Sequence, residues 1–369
     1  MGLLAAHGRA ARSTVSDRAR LDSVDALRGV TVAAMLLVND AGDWGHVYAQ
    51  LQHADWHGCT LADLVFPFFL FIVGVSIALG LGPRVDLGTD AAALRRSVCL
   101  RALRIVLLGL VLHAVLYGLV GTRAFRPFGV LQRIGICYAA VALLAIDTRA
   151  RTQWAACAAL LLGYWTLMVW GGPLTKAGNL ASHLDGALLG RFAYEYDAAS
   201  GAGHDPEGLL STLPAIATTL LGLRAGDWLR HQQLRRLLQA SAAALLLGWL
   251  WSWLFPFNKQ LWTSSYALWT SGLAMAALWL AHLLVDRRGW PAWGRSFGVN
   301  AITAYAGSWL MTCLLVGLHW KRPLYEHAFA RMTPLVGPYL PSLAFALALV
   351  LFWWIVMRVL DRYRLHFKI

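Results

Sequence analysis

The stretch LQHADWHGCTLADLVFPFFLFIVG, residues 51–74, joins a polar, titratable segment directly to a strongly apolar helix. Its first half carries His53, Asp55, His57 and Asp63, and its second half has the continuous apolar character of a membrane-spanning helix. Histidine can accept and donate a proton near neutral pH. A histidine at the mouth of a membrane helix therefore indicates proton-transfer chemistry at the surface of a bilayer.

Composition indicates that the chain is a membrane protein. Of its 369 residues, 58% are hydrophobic and only 14% are charged, whereas about 25% are charged in soluble domains. The apolar runs are continuous and reach the roughly 20 residues that a span needs, without the alternation of an outer-membrane barrel. The sequence therefore predicts an all-α, polytopic membrane helix bundle without strands. Ten spans are predicted, at residues 25–45, 61–82, 97–121, 128–147, 153–172, 209–229, 237–256, 264–285, 296–318 and 341–361.

Basic residues are distributed unevenly between the predicted loops. The chain has 32 Lys and Arg against 19 Asp and Glu, a net charge of +13. Most of the basic residues fall in the N-terminal segment and in the loops on its side of the membrane, which the positive-inside rule assigns to the cytoplasm. The charge thus indicates orientation and argues against nucleic-acid binding. We expect cytoplasmic termini, a cytoplasmic N-terminal segment over residues 1–22 without a cleavable signal peptide, and one transmembrane domain over residues 23–369.

The first outer loop contains the titratable side chains that are candidates for chemistry. His53, Asp55 and His57 lie within five residues, and a histidine there could exchange a proton near neutral pH while a nearby carboxylate orients its ring. Asp63, at the start of the second span, is a further candidate carboxylate. The spacing does not indicate which histidine carries the chemistry. The alternative for each histidine is a solvated residue at the membrane interface. A metal site formed by His46, His53 and His57 is a second alternative. It lacks the HExxH pattern, and Gly58 disfavours the helix that would align the rings. We predict no metal, and five cysteines without a CxxC pair predict no disulfide framework.

Polar residues recur at span ends, where a pure scaffold would tolerate leucine. Asn39 and Asp40 end the first span and either cap the helix or line a cavity. Arg133 lies within the fourth span and needs a partner there, either a carboxylate such as Asp40 or Asp63 or an anionic ligand. Together these side chains predict a polar cavity inside the bundle. The other candidates lie near the ends of later spans: Glu207, Ser211, Asn258, Lys259, Trp262, Thr263, Ser264, Ser265 and Asn300.

The longest predicted loop, residues 173–208, lies on the outer side and is rich in Asp and Glu. An acidic outer loop opposite basic inner loops suits a cationic or polar ligand outside. The alternative is that acidic residues simply tolerate export. The sequence contains no Walker motif, GxGxxG fingerprint or GxSxG elbow.

Six motifs resemble one known family in their order along the chain: SVDALRGVTVAAMLLVND, HADWHGCTLADLVFPFFLFIVGVS, GVLQRIGICY, HDPEGLLSTLPAIATTLLG, NKQLWTSSYALWTSGLA and GVNAITAY. They extend from Ser23 to Tyr305 and therefore cover most of the chain. They are similar to motifs of the heparan-alpha-glucosaminide N-acetyltransferase family of transmembrane acyltransferases, and the chain resembles its shorter bacterial, NagX-like members. The lysosomal members carry an additional luminal domain and span, so the resemblance favours free glucosamine or a small amino sugar over a polymeric acceptor.

The resemblance implies an acyltransferase that takes an acetyl group from acetyl-CoA, its cytosolic co-substrate, and passes it to an amine of glucosamine on the far side. It implies that His53 is the essential histidine, with Trp56 and Asp63 at matching positions of the same motif. Asn39 and Arg133 match two further motifs. We expect His53 to act as general base, oriented by Asp63. The runner-up is a transient acetyl-histidine, in which His53 is the nucleophile.

Substrate-binding roles are expected for the other candidates. Asn39 is expected to be the third catalytic residue beside His53 and Asp63, as a hydrogen-bond donor to the thioester oxygen or the pantetheine chain. The hydroxyls of Thr263, Ser264 and Ser265 are expected to contact the same groups. Basic residues of the inner face, such as Arg95, Arg101 and Arg104, are expected to meet the nucleotide phosphates. The remaining residues assigned to substrate or acetyl-CoA binding are Asp40, Trp56, Arg133, Glu207, Ser211, Asn258, Lys259, Trp262 and Asn300.

Two other functions stay open on the sequence. An O-acyltransferase of an envelope glycan would use a similar bundle with a hydroxyl as acceptor. A transporter of a polar, sugar-like solute would also need many spans, buried polar groups and an acidic outer loop, but it would work without acetyl-CoA. The resemblance to bacterial members also implies the inner, cytoplasmic membrane, and related enzymes lead us to expect a homodimer.

Overall fold

The computed structural model describes residues 21–121 and 124–367, and most of these residues are helical. The helices are α1 (Asp22–Asn39), α2 (Leu61–Asp86), α3 (Ala91–Val120), α4 (Val130–Asp147), α5 (Ala150–Trp170), α6 (Leu180–Leu189), α7 (Thr212–Arg230), α8 (Leu234–Ser252), α9 (Ser264–Ala281), α10 (Arg295–Val299), α11 (Ala301–Gly317), α12 (Lys321–Ala328), α13 (Thr333–Val336) and α14 (Tyr339–Arg362). Single 3₁₀ turns lie at Ala49–Leu51, Gly190–Phe192 and Ala330–Met332, and α9 continues into a π-helical turn at His282–Arg287. Of the predicted cytoplasmic segment, residues 1–22, only Leu21 and Asp22 lie within the described residues.

Every predicted span coincides with a helix, but the helices differ in how well they suit a membrane. Within the described residues, six are individually long and apolar enough to cross one: α2, α3, α4, α5, α14 and α9 with its π-helical extension. A seventh candidate is α11 together with Lys321–Val336, a pair bent by 89°. The other three predicted spans coincide with α1, α7 and α8, which are not individually long and apolar enough to cross a membrane. The all-α membrane bundle is therefore confirmed, while the count of ten spans and the cytoplasmic termini stay predictions.

The predicted outer loop over residues 173–208 contains regular structure. It holds α6 and a small antiparallel hairpin of β1 (Glu195–Asp197) and β2 (Ala202–His204). The Ser182 hydroxyl lies 2.9 Å from His204 Nδ1 and ties α6 to the hairpin. The hairpin departs from the expectation of no strands, because strands of three residues are too short to show an alternating pattern.

Glycines let α2 and α7 approach closely at the centre of the bundle. A Cβ on Gly74 would lie 2.0 Å from the carbonyl oxygen of Thr219, and a Cβ on Gly222 would lie 2.0 Å from that of Phe71. Small residues allow this close approach in membrane bundles, where van der Waals packing between helices supplies much of the association energy. The contact fixes the position of α2, which carries Asp63 at its N-terminal end. The predicted orientation makes this the outer end of the bundle and the opposite end the inner one.

Two loops meet above the outer end of α2. We call residues 46–60, which precede α2, the histidine loop, and residues 253–263, which join α8 to α9, the lysine turn. The Gly58 N–H donates to the Phe257 carbonyl at 2.8 Å and joins the two segments. Gly58 has φ of +130°, a conformation that favours glycine. The histidine loop is thereby held against the turn that contains four of the later candidates, Asn258, Lys259, Trp262 and Thr263.

Candidate active site

His53 and Asp63 form a hydrogen-bonded dyad at the outer end of α2. His53 Nδ1 lies 2.9 Å from Asp63 Oδ1. An ionised carboxylate can only accept hydrogen bonds, so this contact places the ring proton on Nδ1 and leaves the lone pair of Nε2 available as a base. The Asp63 side chain is fully buried, whereas the His53 side chain is 41% exposed. The dyad can therefore meet a substrate from the outer side.

The first turn of α2 holds Asp63 in one orientation. The Thr60 N–H and hydroxyl each donate to Asp63 Oδ2 at 3.0 Å, and the Ala54 N–H donates to the same oxygen at 3.1 Å. The Tyr266 hydroxyl donates to the Asp63 backbone carbonyl at 2.5 Å. Thr60 and Asp63 form a capping box, a local motif that begins helices. Because the carboxylate is fixed by these bonds, the His53 ring has a rigid partner.

Lys259 brings a third titratable group to the dyad. Its Nζ lies 3.1 Å from both ring nitrogens of His53 and 3.8 Å from Asp63 Oδ1. The equal distances place the ammonium over the ring rather than along the lone pair of one nitrogen. The Lys259 side chain is only 19% exposed, and this burial lowers the pKa of Lys259, against the opposing effect of the nearby carboxylates. The sequence singled out Lys259 as a binding residue and missed its contact with His53.

The lysine turn is rigid, and its hydroxyls already have acceptors. The carboxamide oxygen of Asn258 accepts a backbone N–H within the turn at 2.8 Å. Trp262 is buried with φ of +52°, a left-handed conformation that is strained for a bulky residue. The hydroxyls of Thr263, Ser264 and Ser265 donate to the backbone carbonyls of Pro256, Leu161 and Phe255. A thioester bound here would have to compete with these bonds, and the strained turn fixes where Lys259 points.

Arg133 is fully buried, and the structure pairs it with neither of the carboxylates that the sequence suggested, Asp40 and Asp63. It instead faces the start of α7, where its Nη2 donates to Ser211 Oγ at 2.5 Å. Its guanidinium carbon lies 5.3 Å from the centre of the Trp262 ring. The Nε and Nη1 atoms have no hydrogen-bond partner among the described residues. A buried intramembrane cation with free N–H groups stays a candidate for ligand binding.

Glu207 belongs to an ion cluster on the outer side. Arg126 hydrogen-bonds to both Asp205 and Glu207. The side chain of Asp205 is 0% exposed and that of Glu207 is 11% exposed. Burial acts to raise the pKa of Glu207, but the guanidinium groups of Arg126 and Arg133 hold it below its usual value. Sequence reasoning did not select Arg126, since a single arginine in a loop carries no motif.

Asn39 and Asp40 lie at the outer end of α1 in different surroundings. The Asn39 residue is exposed. Asp40 is buried, and its carboxylate accepts a hydrogen bond from the Thr312 hydroxyl at 2.7 Å. Asp40 thus links α1 to α11, and the amide of Asn39 stays accessible.

Trp56 and Asn300 lie on opposite ends of the bundle. The Trp56 indole N–H donates to the Leu174 carbonyl at 2.7 Å, and its ring meets that of His204 at 5.3 Å. Trp56 therefore attaches the histidine loop to the segment around α6. Asn300 precedes α11 at the inner end, and both of its amide heavy atoms are buried without a partner among the described residues.

A cavity of about 1030 Å³ lies at the inner end of the bundle, between α2, α3, α4 and the start of α11. Its apolar wall includes Phe69, Val73 and Leu131. Five arginines line it: Arg28, Arg84, Arg96, Arg101 and Arg104. A cluster of guanidinium groups beside an apolar wall suits a ligand that has an anionic end and an uncharged arm.

The sequence predicted part of this arginine cluster. Of the three arginines expected to meet the nucleotide phosphates, Arg101 and Arg104 line the cavity, whereas Arg95 pairs with Asp147 at 2.6 Å. Their contact with a nucleotide stays a prediction. Arg84 and Arg96 were missed, since the positive-inside rule already accounts for basic residues in an inner loop.

The histidines of the outer face have other partners than a metal. His46 pairs with Asp43 at 2.6 Å, and His57 Nδ1 faces Asn258 Nδ2 at 3.5 Å. Across residues 21–121 and 124–367, no three His, Cys, Asp or Glu side chains are grouped so that they could hold a metal ion. All five cysteines are free.

Residues 20–254 match the family model described as heparan-alpha-glucosaminide N-acetyltransferase, catalytic. The chain belongs to the heparan-alpha-glucosaminide N-acetyltransferase family. The matched range contains the dyad, Arg133 and Glu207, whereas Lys259 and Asn300 lie beyond it.

Two curated members of the family are similar to the chain over most of its length. The heparan-alpha-glucosaminide N-acetyltransferase of Homo sapiens is 30% identical over 353 aligned positions, which cover 78% of this chain and 52% of that enzyme. The enzyme of the same name from Mus musculus is 30% identical over 352 positions, with coverage of 78% and 53%. The chain therefore spans about half the length of these relatives.

Family membership confirms the resemblance carried by the six motifs. The shorter, NagX-like subtype stays a prediction, and so does the role of each candidate residue. What the structure adds is that His53, Asp63 and Lys259 meet at one end of the bundle, while an arginine-lined cavity lies at the other.

Proposed function

We propose that this chain transfers an acetyl group from cytosolic acetyl-CoA to the amine of glucosamine or a related small amino sugar on the outer side. The observation that carries the proposal is the His53–Asp63 dyad, in which Asp63 engages Nδ1 and leaves Nε2 as the basic nitrogen, in a member of this family. The names of the human and mouse relatives supply the reaction type, N-acetyl transfer to a glucosaminide.

In the proposed reaction His53 is the general base. The sugar amine attacks the thioester carbonyl, its proton passes to His53 Nε2, the C–N bond forms, the C–S bond breaks and the CoA thiolate leaves. Asp63 keeps the proton on Nδ1 and stabilises the imidazolium that forms, as a buried carboxylate does in other histidine-based sites. General-base assistance of this kind contributes a factor of about 10²–10⁴ in rate.

The alternative is that His53 itself carries the acetyl group. The position of Lys259 does not separate the two routes. Its ammonium lies 3.1 Å from both ring nitrogens and repels an imidazolium and an acetylimidazolium alike. Labelling of the protein by acetyl-CoA alone distinguishes them.

The inner cavity is the proposed site of the CoA moiety. Its arginines suit the nucleotide phosphates, for which guanidinium groups are good partners. Along α2 the cavity wall runs from Phe69 to Arg84, roughly 22 Å at 1.5 Å per residue. Phe69 in turn is about 9 Å along the helix from Asp63. A long, flexible pantetheine arm can extend along this wall from the inner face toward the dyad.

We propose that residues 23–369 form the transferase domain, that it lies in the inner membrane with cytoplasmic termini, and that the enzyme is a homodimer. The uneven distribution of basic residues supports the orientation.

Purified protein in detergent should transfer label from radiolabelled acetyl-CoA to glucosamine. Labelled N-acetylglucosamine is the expected product, and omission of the sugar should leave the protein unlabelled because direct transfer has no acetyl-enzyme. Label retained on the protein with acetyl-CoA alone would support the acetyl-histidine route. No labelled product with folded protein and a panel of amino sugars would refute the proposed function.

Replacing both Arg101 and Arg104 with glutamine should raise KM for acetyl-CoA about tenfold, equivalent to about 1.4 kcal/mol, with little change in KM for the sugar. The physical reason is the loss of two cationic partners for the phosphates. Arg95→Gln is the matched control, because Arg95 lies on the same helix but pairs with Asp147 outside the cavity. Initial-rate kinetics with each substrate varied separately measure both constants. An unchanged KM for acetyl-CoA in the double variant would place the nucleotide elsewhere.

A further inference from the structure

Lys259 has too few hydrogen-bond acceptors for a buried ammonium. An ammonium has three donors, yet within the described residues its nitrogen meets only the His53 ring, at 3.1 Å, and the Asp63 carboxylate, at 3.8 Å. Asp63 is already engaged by His53, Thr60 and Ala54. The position of Lys259 is therefore poorly explained as a simple salt bridge.

We propose that Lys259 controls protonation of His53, so that the two side chains together carry one positive charge, balanced by Asp63. The ammonium faces both ring nitrogens at equal distance, where it attracts a neutral imidazole and repels an imidazolium. The consequence of this charge coupling for acetyl transfer rests on the proposed function.

The other titratable groups around the pair do not supply a second negative charge. Within the histidine loop, Asp55 lies at the exposed surface, partial burial lowers the pKa of His57, and burial raises the pKa of the Cys59 thiol to about 12. On the outer loop, Glu207 is committed to Arg126. From α9, the Tyr266 hydroxyl donates to the Asp63 carbonyl. Asp63 is thus the carboxylate in direct contact with the pair, and one carboxylate balances one cation.

The single charge dictates the order of proton movements during transfer. When His53 takes the proton of the sugar amine, Lys259 must release one to keep a single charge on the pair. The acceptor is the CoA thiolate, the leaving group of the proposed reaction, which becomes the free thiol. His53, whose side chain is 41% exposed, then releases its proton to solvent, and Lys259 takes one up, which restores the starting state. One proton leaves the amine and one reaches the thiolate, so the step balances.

The test measures protonation of His53 without acetyl transfer. Diethyl pyrocarbonate modifies neutral imidazole, and peptide mass spectrometry reports its rate at His53 between about pH 5 and pH 9, the range in which imidazoles titrate. In Lys259→Met the midpoint of this rate should rise by roughly one pH unit or more, because loss of a neighbouring cation lets the ring keep its proton to higher pH. Lys259→Arg, which keeps the charge, should restore the wild-type midpoint.

Lys176→Met is the matched control, since Lys176 also lies on the outer side but pairs with Glu195 at 2.7 Å. Lys259→Gln serves as a second variant if the methionine protein does not fold. An unchanged midpoint in a folded Lys259 variant would overturn the proposal. The midpoint of the His53 modification rate does not depend on acetyl transfer. If the midpoint shifts in the Lys259 variant but the wild-type protein has no acetyltransferase activity, the proposed function is refuted and the charge coupling between Lys259 and His53 is retained. In an active enzyme, the acid limb of kcat/KM should move to higher pH by the same amount.

Discussion

Replacing His53 with alanine is expected to slow acetyl transfer by a factor of about 10²–10⁴. The loss follows from the free Nε2, which is the atom placed to take the amine proton. The His53 side chain is 41% exposed, so its removal leaves no large cavity and the protein should fold. Steady-state transfer of label from acetyl-CoA to glucosamine measures the effect.

His57→Ala is the matched control for this prediction. His57 lies in the same loop and is also exposed, but its ring approaches the Asn258 amide at 3.5 Å and does not bond to a buried carboxylate. We expect the rate of acetyl transfer by His57→Ala to stay near that of the wild type. A large loss of activity in His57→Ala, together with an active His53→Ala, would show that His57 and not His53 is the base.

Replacing Arg126 with methionine is expected to destabilise the folded protein by about 3–5 kcal/mol. Arg126 hydrogen-bonds to two carboxylates, those of Asp205 and Glu207, and both are almost fully buried. Removal of the guanidinium leaves two negative charges close together without a cation in direct contact. Removing one partner of a buried ion pair lowers the free energy of unfolding by much more than the intact pair contributes to it, because the remaining charge stays desolvated. Thermal or denaturant unfolding in detergent, followed by tryptophan fluorescence, measures the change.

Arg95→Met provides the contrast. Arg95 also forms a close pair, with Asp147 at 2.6 Å, but the two side chains are 49% and 41% exposed. An exposed pair contributes about 0–1 kcal/mol, so this variant should unfold almost like the wild type. If the two variants lose the same free energy of unfolding, burial does not determine how much Arg126 and its carboxylate partners contribute to stability. Asp205→Asn in the Arg126→Met background should recover part of the stability, since it removes one of the uncompensated charges.

Features that depend on neighbouring residues in the chain could be predicted from the sequence. The apolar run after Asp63 predicts a membrane helix, and the Thr60–Asp63 capping box begins it in the structure. The dyad lies within ten residues of chain, so a histidine and a carboxylate of the same motif were expected to meet. The motif order also indicated the family correctly.

Features formed by distant segments could not be predicted. Arg133 was expected to pair with Asp40 or Asp63 or to bind an anion, but it faces Ser211 at the start of α7. Which carboxylate lies next to an intramembrane arginine depends on how helices pack, and charge alone does not specify it. The outer loop was read from its acidic composition, yet it folds into α6 and a hairpin whose short strands carry no periodic signal.

The sequence by itself determined that this protein is an all-α membrane bundle of a known transferase family, with a histidine and a carboxylate at the mouth of one span. Those conclusions rest on hydropathy, the distribution of basic residues and local motifs, which are properties of short segments. Only the tertiary structure placed Lys259 against His53 and gathered the inner arginines around one cavity. His53 and Lys259 are 206 residues apart. Their contact depends on the close packing of α2 on α7 and on the strained turn before α9, and neither is encoded in any one segment.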